Sequence, residues 1–391
     1  MRDVLETGHQ RTHLILPATV FPRGIDMQYV EGFDGHRSQA TGKADSVNLL
    51  LAEADGKPSV STMQVTPDRQ SSGDLPPFRP PVWLRGPHGQ TIVGRAYRST
   101  CRISYVRRRI DTPDGDFLDL DGVREPSSGP LVIVLHGLEG SSRSGYVVQT
   151  CSLLSARGAR PVALNFRSCS GEPNRTMRSY HSGETGDLGL VIDLLRSENP
   201  GTPIGAIGYS LGGNALLCYL EETGSGCLDA AVTVSVPFDL AASARQLESG
   251  MGRVYAQHFL GSLRTKIRGK ADRFPKAADL ARPALAARTI RGIDDAWTAP
   301  VHGYQNAAHY YEACSALGRL CAIRTPTLLI QAEDDPFLPA GIIDTVREVE
   351  NPFLANGFTR RGGHLGYLGT LSSGRLWAEA RAVEWLVDHL V

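Results

Sequence analysis

Residues 130–137 read Pro-Leu-Val-Ile-Val-Leu-His-Gly, five large apolar side chains in an unbroken row. A strand with one wet face alternates apolar and polar residues. A strand with none must be buried on both faces, which happens almost only in sheets covered by helices on each side. Similar short apolar segments recur at 161–166, 203–210, 229–236, 325–332 and 352–360. Helical stretches are expected between or after them, at 147–157, 188–196, 211–222, 307–320 and 375–391. The last carries Trp377, Ala380, Val383, Leu386 and Leu390 on one apolar face. Strand and helix in alternation predict an α/β chain with a mostly parallel sheet. Ahead of them, 103–110 and 116–120 read as two strands joined by a Pro-Asp-Gly turn.

The alternation lapses over residues 238–305, which are rich in Ala, Arg and Leu and show no strand pattern. This insert is read as a helical cap over the sheet's C-terminal edge, where open α/β sheets bind ligands. Residues 1–76 have neither period and end in a Pro/Ser-rich stretch, so they are expected to be a disordered tail, with Met63 an alternative start. Residues 77–391 then form the folded domain.

The chain balances 41 Lys+Arg against 41 Asp+Glu over 391 residues, which argues against a nucleic-acid or anionic-membrane binder. Five of the basic residues are lysine and the rest arginine, read as coding bias. Seven scattered cysteines without a C-x-x-C pair suit reduced thiols in the cytoplasm and offer no zinc cluster. No apolar run approaches the length of a membrane span, and the first residues lack a secretory pattern. A monomer or weak oligomer acting on a small molecule is expected.

Gly208-Tyr209-Ser210-Leu211-Gly212 follows an apolar strand and opens a helix, the context a nucleophile elbow requires. A serine N-cap in an ordinary turn is the plainer alternative, but it does not need glycine on both sides. Serine needs a base and the base needs an orienting acid. Glu333, Asp334 and Asp335 follow a late strand; Asp335 is preferred because Pro339 lies four residues on. His364 stands in a Gly-Gly-His-Leu-Gly loop after the last strand. The oxyanion donors are expected to be the amides of Leu211 and of Leu138, in the loop after strand 130–137. His136 is read as structural. No metal or organic cofactor is implied, because nucleophile, base and acid are all supplied by side chains.

These motifs together resemble the YheT-type α/β-hydrolases, the abhydrolase-domain esterases and lipases. The resemblance runs through Pro87-His88-Gly89-Gln90-Thr91, His136 to Ser141, Asn165 to Asn174 (with Ser168 where glycine is usual), Tyr180 to Gly183, Gly208 to Asn214, and Asp334 to Phe337. It implies an α/β-hydrolase fold, a mostly parallel central sheet flanked by helices, and a serine hydrolase of short-chain or lipid acyl esters with no cofactor. An acyltransferase on the same triad, another hydrolase of this fold, and a non-catalytic binding protein remain alternatives. Arg167 and Arg175 are read as loop salt bridges, Cys169 as a small buried residue, and Tyr310 and Tyr311 as helix packing.

Overall fold

The computed structural model describes residues 77–98, 102–123, 128–370 and 376–391, so the expectations for residues 1–76 lie outside the described residues. Among the described residues, eight strands form one sheet in the order β1-β2-β4-β3-β5-β6-β7-β8. They are β1 (Tyr105–Asp111), β2 (Phe117–Val123), β3 (Leu131–Leu135), β4 (Arg160–Asn165), β5 (Ile204–Tyr209), β6 (Ala230–Val234), β7 (Thr327–Ala332) and β8 (Leu354–Thr359). The hairpin β1–β2 is antiparallel, with Tyr105 opposite Val123 and Asp111 opposite Phe117. β2 also runs antiparallel to β4, and every pair from β4 to β8 is parallel.

The apolar run that opened the sequence reading explains the layers. Leu131, Ile133 and Leu135 of β3 pack on one side of the sheet, against α3 (Gly186–Glu198) and α4 (Leu211–Thr223). Val132 and Val134 pack on the other, against α2 (Gly145–Ala156) and α12 (Trp377–Asp388). All five are buried. At roughly 1.5–3 kcal/mol for each large aliphatic side chain, such strands are the main source of cohesion. This is the helix-flanked, mostly parallel sheet the alternation predicts.

Between β6 and β7 the chain is helical: α5 (Leu240–Gln246), α6 (Gly252–Arg273), α7 (Ala278–Ala286), α8 (Ile290–Ile293), α9 (Ala299–Val301) and α10 (Ala307–Cys314). A short helix, α11 (Ile342–Arg347), lies between β7 and β8. The stretch 307–320 was expected as a single helix, and the structure corrects this. α10 stops at Cys314, and a 3-10 turn follows over Leu317–Ala322. The cause is tertiary: Asn214 Oδ1 accepts the Ala316 amide at 3.1 Å, and the Phe238 carbonyl accepts that of Leu317 at 3.0 Å. The structure also adds a helix that the sequence reading did not foresee, α1 (Pro87–Arg98).

Candidate active site

Ser210 sits between β5 and α4 with φ 51° and ψ −119°, a conformation that L-residues seldom adopt. The tightness of the turn explains its glycines. A Cβ on Gly208 would lie 2.7 Å from the Gly212 carbonyl oxygen, and one on Gly212 would lie 2.5 Å from that of His136. Ser210 is the residue before the first turn of α4, yet its side chain caps nothing. Its hydroxyl lies 3.0 Å from His364 Nε2 instead. The plain N-cap alternative therefore fails on geometry.

His364 Nδ1 lies 2.9 Å from Asp335 Oδ2 and 3.2 Å from Oδ1. With a carboxylate on that side, Nδ1 carries the proton, and Nε2 is left to accept from the Ser210 hydroxyl. Asp335 is itself held: Gln331 Nε2 donates to Oδ2 at 3.1 Å, and the Phe337 amide donates to Oδ1 at 2.9 Å. The other two acids are engaged elsewhere. Asp334 Oδ1 accepts the Gly363 amide at 2.9 Å, and burial raises this carboxyl above its usual range. Glu333 is ion-paired with Arg347 at the surface. Of the three acids, only Asp335 is bonded to His364.

Leu138 and Leu211 are the expected oxyanion donors, and neither amide has an acceptor among the described residues. The loop that carries Leu138 passes close to Ser210: a Cβ on Gly137 would lie 3.1 Å from Ser210 Cβ. His136 anchors that loop. Its Nδ1 donates to the Gly137 carbonyl at 2.8 Å, and its Nε2 accepts the Phe166 amide at 3.1 Å. Burial pushes its pKa down to about 4, so the ring stays neutral.

The histidine loop is held by residues whose part in the site the sequence did not reveal. Thr91 Oγ1, from α1, accepts the His364 amide at 2.9 Å. Arg98, at the end of α1, donates to the carbonyls of Leu365 and Gly366 at 2.9 and 2.8 Å. The same guanidinium grips both oxygens of Glu379 on α12. Arg98 and Glu379 are 2% and 1% exposed, so this is a buried ion pair. Phe337 lies flat on the His364 ring, 3.9 Å between centroids and 11° between planes. Tyr255 of α6 packs on Phe337 and meets His88 Nδ1 through its hydroxyl at 3.0 Å. The P-H-G-Q-T motif was the available signal for α1, because it contains both His88 and Thr91.

Other expected residues fall to structural roles. Arg167 is buried among Asp187, Asp114 and Asp116, and Arg175 pairs with Asp111 at the surface. The Tyr310 hydroxyl accepts the Ser182 amide, and that of Tyr311 donates to Asp294. Cys169 is buried, but its sulfur lies 3.1 Å from Lys266 Nζ. Among the described residues no group of acidic, histidine and cysteine side chains could hold a metal ion. No helix there is long and apolar enough to cross a membrane.

Comparison with known proteins bears on the fold and the family. The family described as alpha/beta hydrolase fold matches residues 130–365. YheT of Escherichia coli is 40% identical over 78% of this chain and 91% of its own length. The phospholipase ABHD3 of Mus musculus is 32% identical over 74% of this chain and 73% of its own. Among solved structures, an esterase of Pyrococcus furiosus superposes with TM-score 0.51 at 16% identity, covering 81% of this chain and 98% of that one, a likeness of fold.

Proposed function

The chain belongs to the family of proteins with the alpha/beta hydrolase fold, and on that premise we propose that it is a serine hydrolase of carboxylic esters working through an acyl-enzyme. The observation that carries this reading is the continuous chain from Ser210 Oγ through His364 to Asp335, at 3.0 and 2.9 Å. Ser210 attacks the ester carbonyl while His364 Nε2 takes its proton. His364 then returns that proton to the leaving alcohol. Asp335 fixes the tautomer and stabilises the imidazolium that forms. The amides of Leu138 and Leu211 hold the oxyanion, a contribution of about 10²–10³ in rate for each donor. Water, activated by His364 in the reverse sense, releases the acid.

Residues 77–391 act as one catalytic domain in this reading, and the helical insert of residues 238–305 is its cap. The substrate is a short-chain or lipid acyl ester. The phospholipase name of one relative makes lipid esters the first to try beside simple ones.

The test is labelling with a fluorophosphonate probe, alongside turnover of p-nitrophenyl esters of increasing acyl length. The parent protein labels and turns over; Ser210→Ala does neither. Asp335→Asn loses on the order of 10²–10⁴ in kcat, and Asp334→Asn far less. Equal labelling of parent and Ser210→Ala would refute the serine mechanism.

A further inference from the structure

Glu139 follows Leu138 in the oxyanion loop and has φ +55°, where a glycine would be at ease. Its side chain is the evident reason for a glutamate there. The carboxylate is 3% exposed and receives three donors. Tyr180 Oη donates to Oε1 at 2.8 Å, Lys266 Nζ donates to Oε1 at 2.9 Å, and Ser262 Oγ donates to Oε2. The Glu139 amide in turn donates to Tyr180 Oη at 2.7 Å.

Ser262 and Lys266 both belong to α6, four residues apart and so on one face of that helix. The same face carries Tyr255, which packs on Phe337, and Lys270, which donates to the carbonyls of Thr176 and Arg178. One stripe of the cap helix thus spans the acid loop, the oxyanion loop and the loop after β4. Without its carboxylate contacts, the strained turn at Glu139 has only the Tyr180 bond to hold its amide, and the adjacent Leu138 amide shares that turn.

We propose that Glu139 is a positioning residue, through which Ser262 and Lys266 of the cap helix fix the oxyanion loop and aim the Leu138 amide. The proposal rests on the esterase reading, because an oxyanion donor has a purpose only where an oxyanion forms. The latch itself is a structural statement and can be read without turnover.

The experiment compares Glu139→Gly, Lys266→Met and the double variant with the parent. Glu139→Gly relieves the backbone strain but leaves Lys266, Ser262 and Tyr180 without their shared acceptor, so a merely structural residue would cost stability and leave kcat parent-like. The latch predicts, beside a lowered melting temperature, kcat lower by about 10- to 100-fold at temperatures well below the melt, part of the loss known for a missing oxyanion donor, and KM within about threefold. Lys266→Met falls in the same direction, and the double variant is no slower than the worse single one, because both changes break one latch. Amide hydrogen exchange of residues 137–141 in Lys266→Met rises several-fold over the parent, while exchange of β3 and α4 is unchanged. Parent-like kcat in Glu139→Gly, fully multiplicative losses in the double variant, or unchanged exchange in the loop would each overturn the proposal. Lack of ester turnover by the parent, with the loop exchange responding as expected, would refute the esterase reading and leave the latch standing.

Discussion

The Arg98–Glu379 pair allows stability and turnover to be pulled apart. Arg98 donates to two acceptor sets, the Glu379 carboxylate and the Leu365 and Gly366 carbonyls beside His364. Removing one member of a buried pair leaves an uncompensated charge and costs about 3–5 kcal/mol. At about 2–4 °C per kcal/mol, and toward the lower figure for a domain this large, Arg98→Met and Glu379→Gln should each lower the melting temperature by about 6 °C or more. The double variant Arg98→Met/Glu379→Met leaves no buried charge, so it should melt above Arg98→Met by regaining the charge penalty, yet stay below the parent. Two carbonyls still lack their donor, and each unmet group costs about 1–3 kcal/mol where water cannot reach it. Turnover follows a different partner. Glu379→Gln keeps the guanidinium on the histidine loop and loses little kcat beyond its stability effect. Arg98→Met and the double variant both release the loop and should lose about tenfold or more, since misplacing a catalytic group by about 1 Å can cost 10²-fold. Thermal melts and p-nitrophenyl ester kinetics on the three variants read both quantities. A double variant as unstable as Arg98→Met would refute the ion-pair argument, and parent-like kcat in the double variant would refute the clamp.

Three further outcomes can be checked on the same assays. Gly137→Ala introduces a Cβ 3.1 Å from Ser210 Cβ and 3.4 Å from the Tyr209 carbonyl; kcat should drop by about tenfold or more with only a small change in melting temperature, and an unchanged kcat would show that the loop gives way freely. His136 has a folded pKa of about 4 against 6.5 when unfolded, so the unfolded chain binds the proton first and stability falls as pH drops through that window. His136→Gln lacks this term, and its stability deficit relative to the parent should narrow by up to about 3 kcal/mol between pH 7 and pH 4 in denaturant titrations; a constant deficit would contradict the buried neutral ring. Lys270 is 4% exposed, and burial pushes its pKa down to about 8. Lys270→Arg should overpack that site and cost about 1–3 kcal/mol, while Lys276→Arg at the exposed surface should cost nothing measurable in a thermal melt.

What the sequence made legible follows from how local each signal is. β3, β5 and β7 are apolar runs whose burial depends on their own residues, and their positions matched to within a residue or two. Ser210, Asp335 and His364 follow the C-terminal ends of the parallel strands β5, β7 and β8, so topology brings them to one edge of the sheet. α1 was invisible for a physical reason. The residues it buries are Gln90, Gly94 and Arg98, four apart on one helical face, but polar or small. Hydrophobic periodicity cannot register a helix that packs by hydrogen bonds to the histidine loop. The early end of α10 is hidden likewise, because its cause is Asn214, 102 residues away along the chain from Ala316.

The arginine excess also looks different once burial is known. Arginine so outnumbers lysine in this chain that each lysine is a departure. Two of the five lysines, Lys266 and Lys270, lie on one face of α6 and put their ammonium groups against a carboxylate, a thiol and two backbone carbonyls. A compact head with three rotatable donors can satisfy acceptors that converge from different directions, whereas a planar guanidinium is built for a carboxylate met edge-on. Arg98 and Arg167 occupy the second kind of site and face Glu379 and Asp187 with two nitrogens each. The cations at this site therefore divide by the geometry of their acceptors. The lysines hold α6 to the loops it packs on, and the arginines tie loops to the helices α12 and α3.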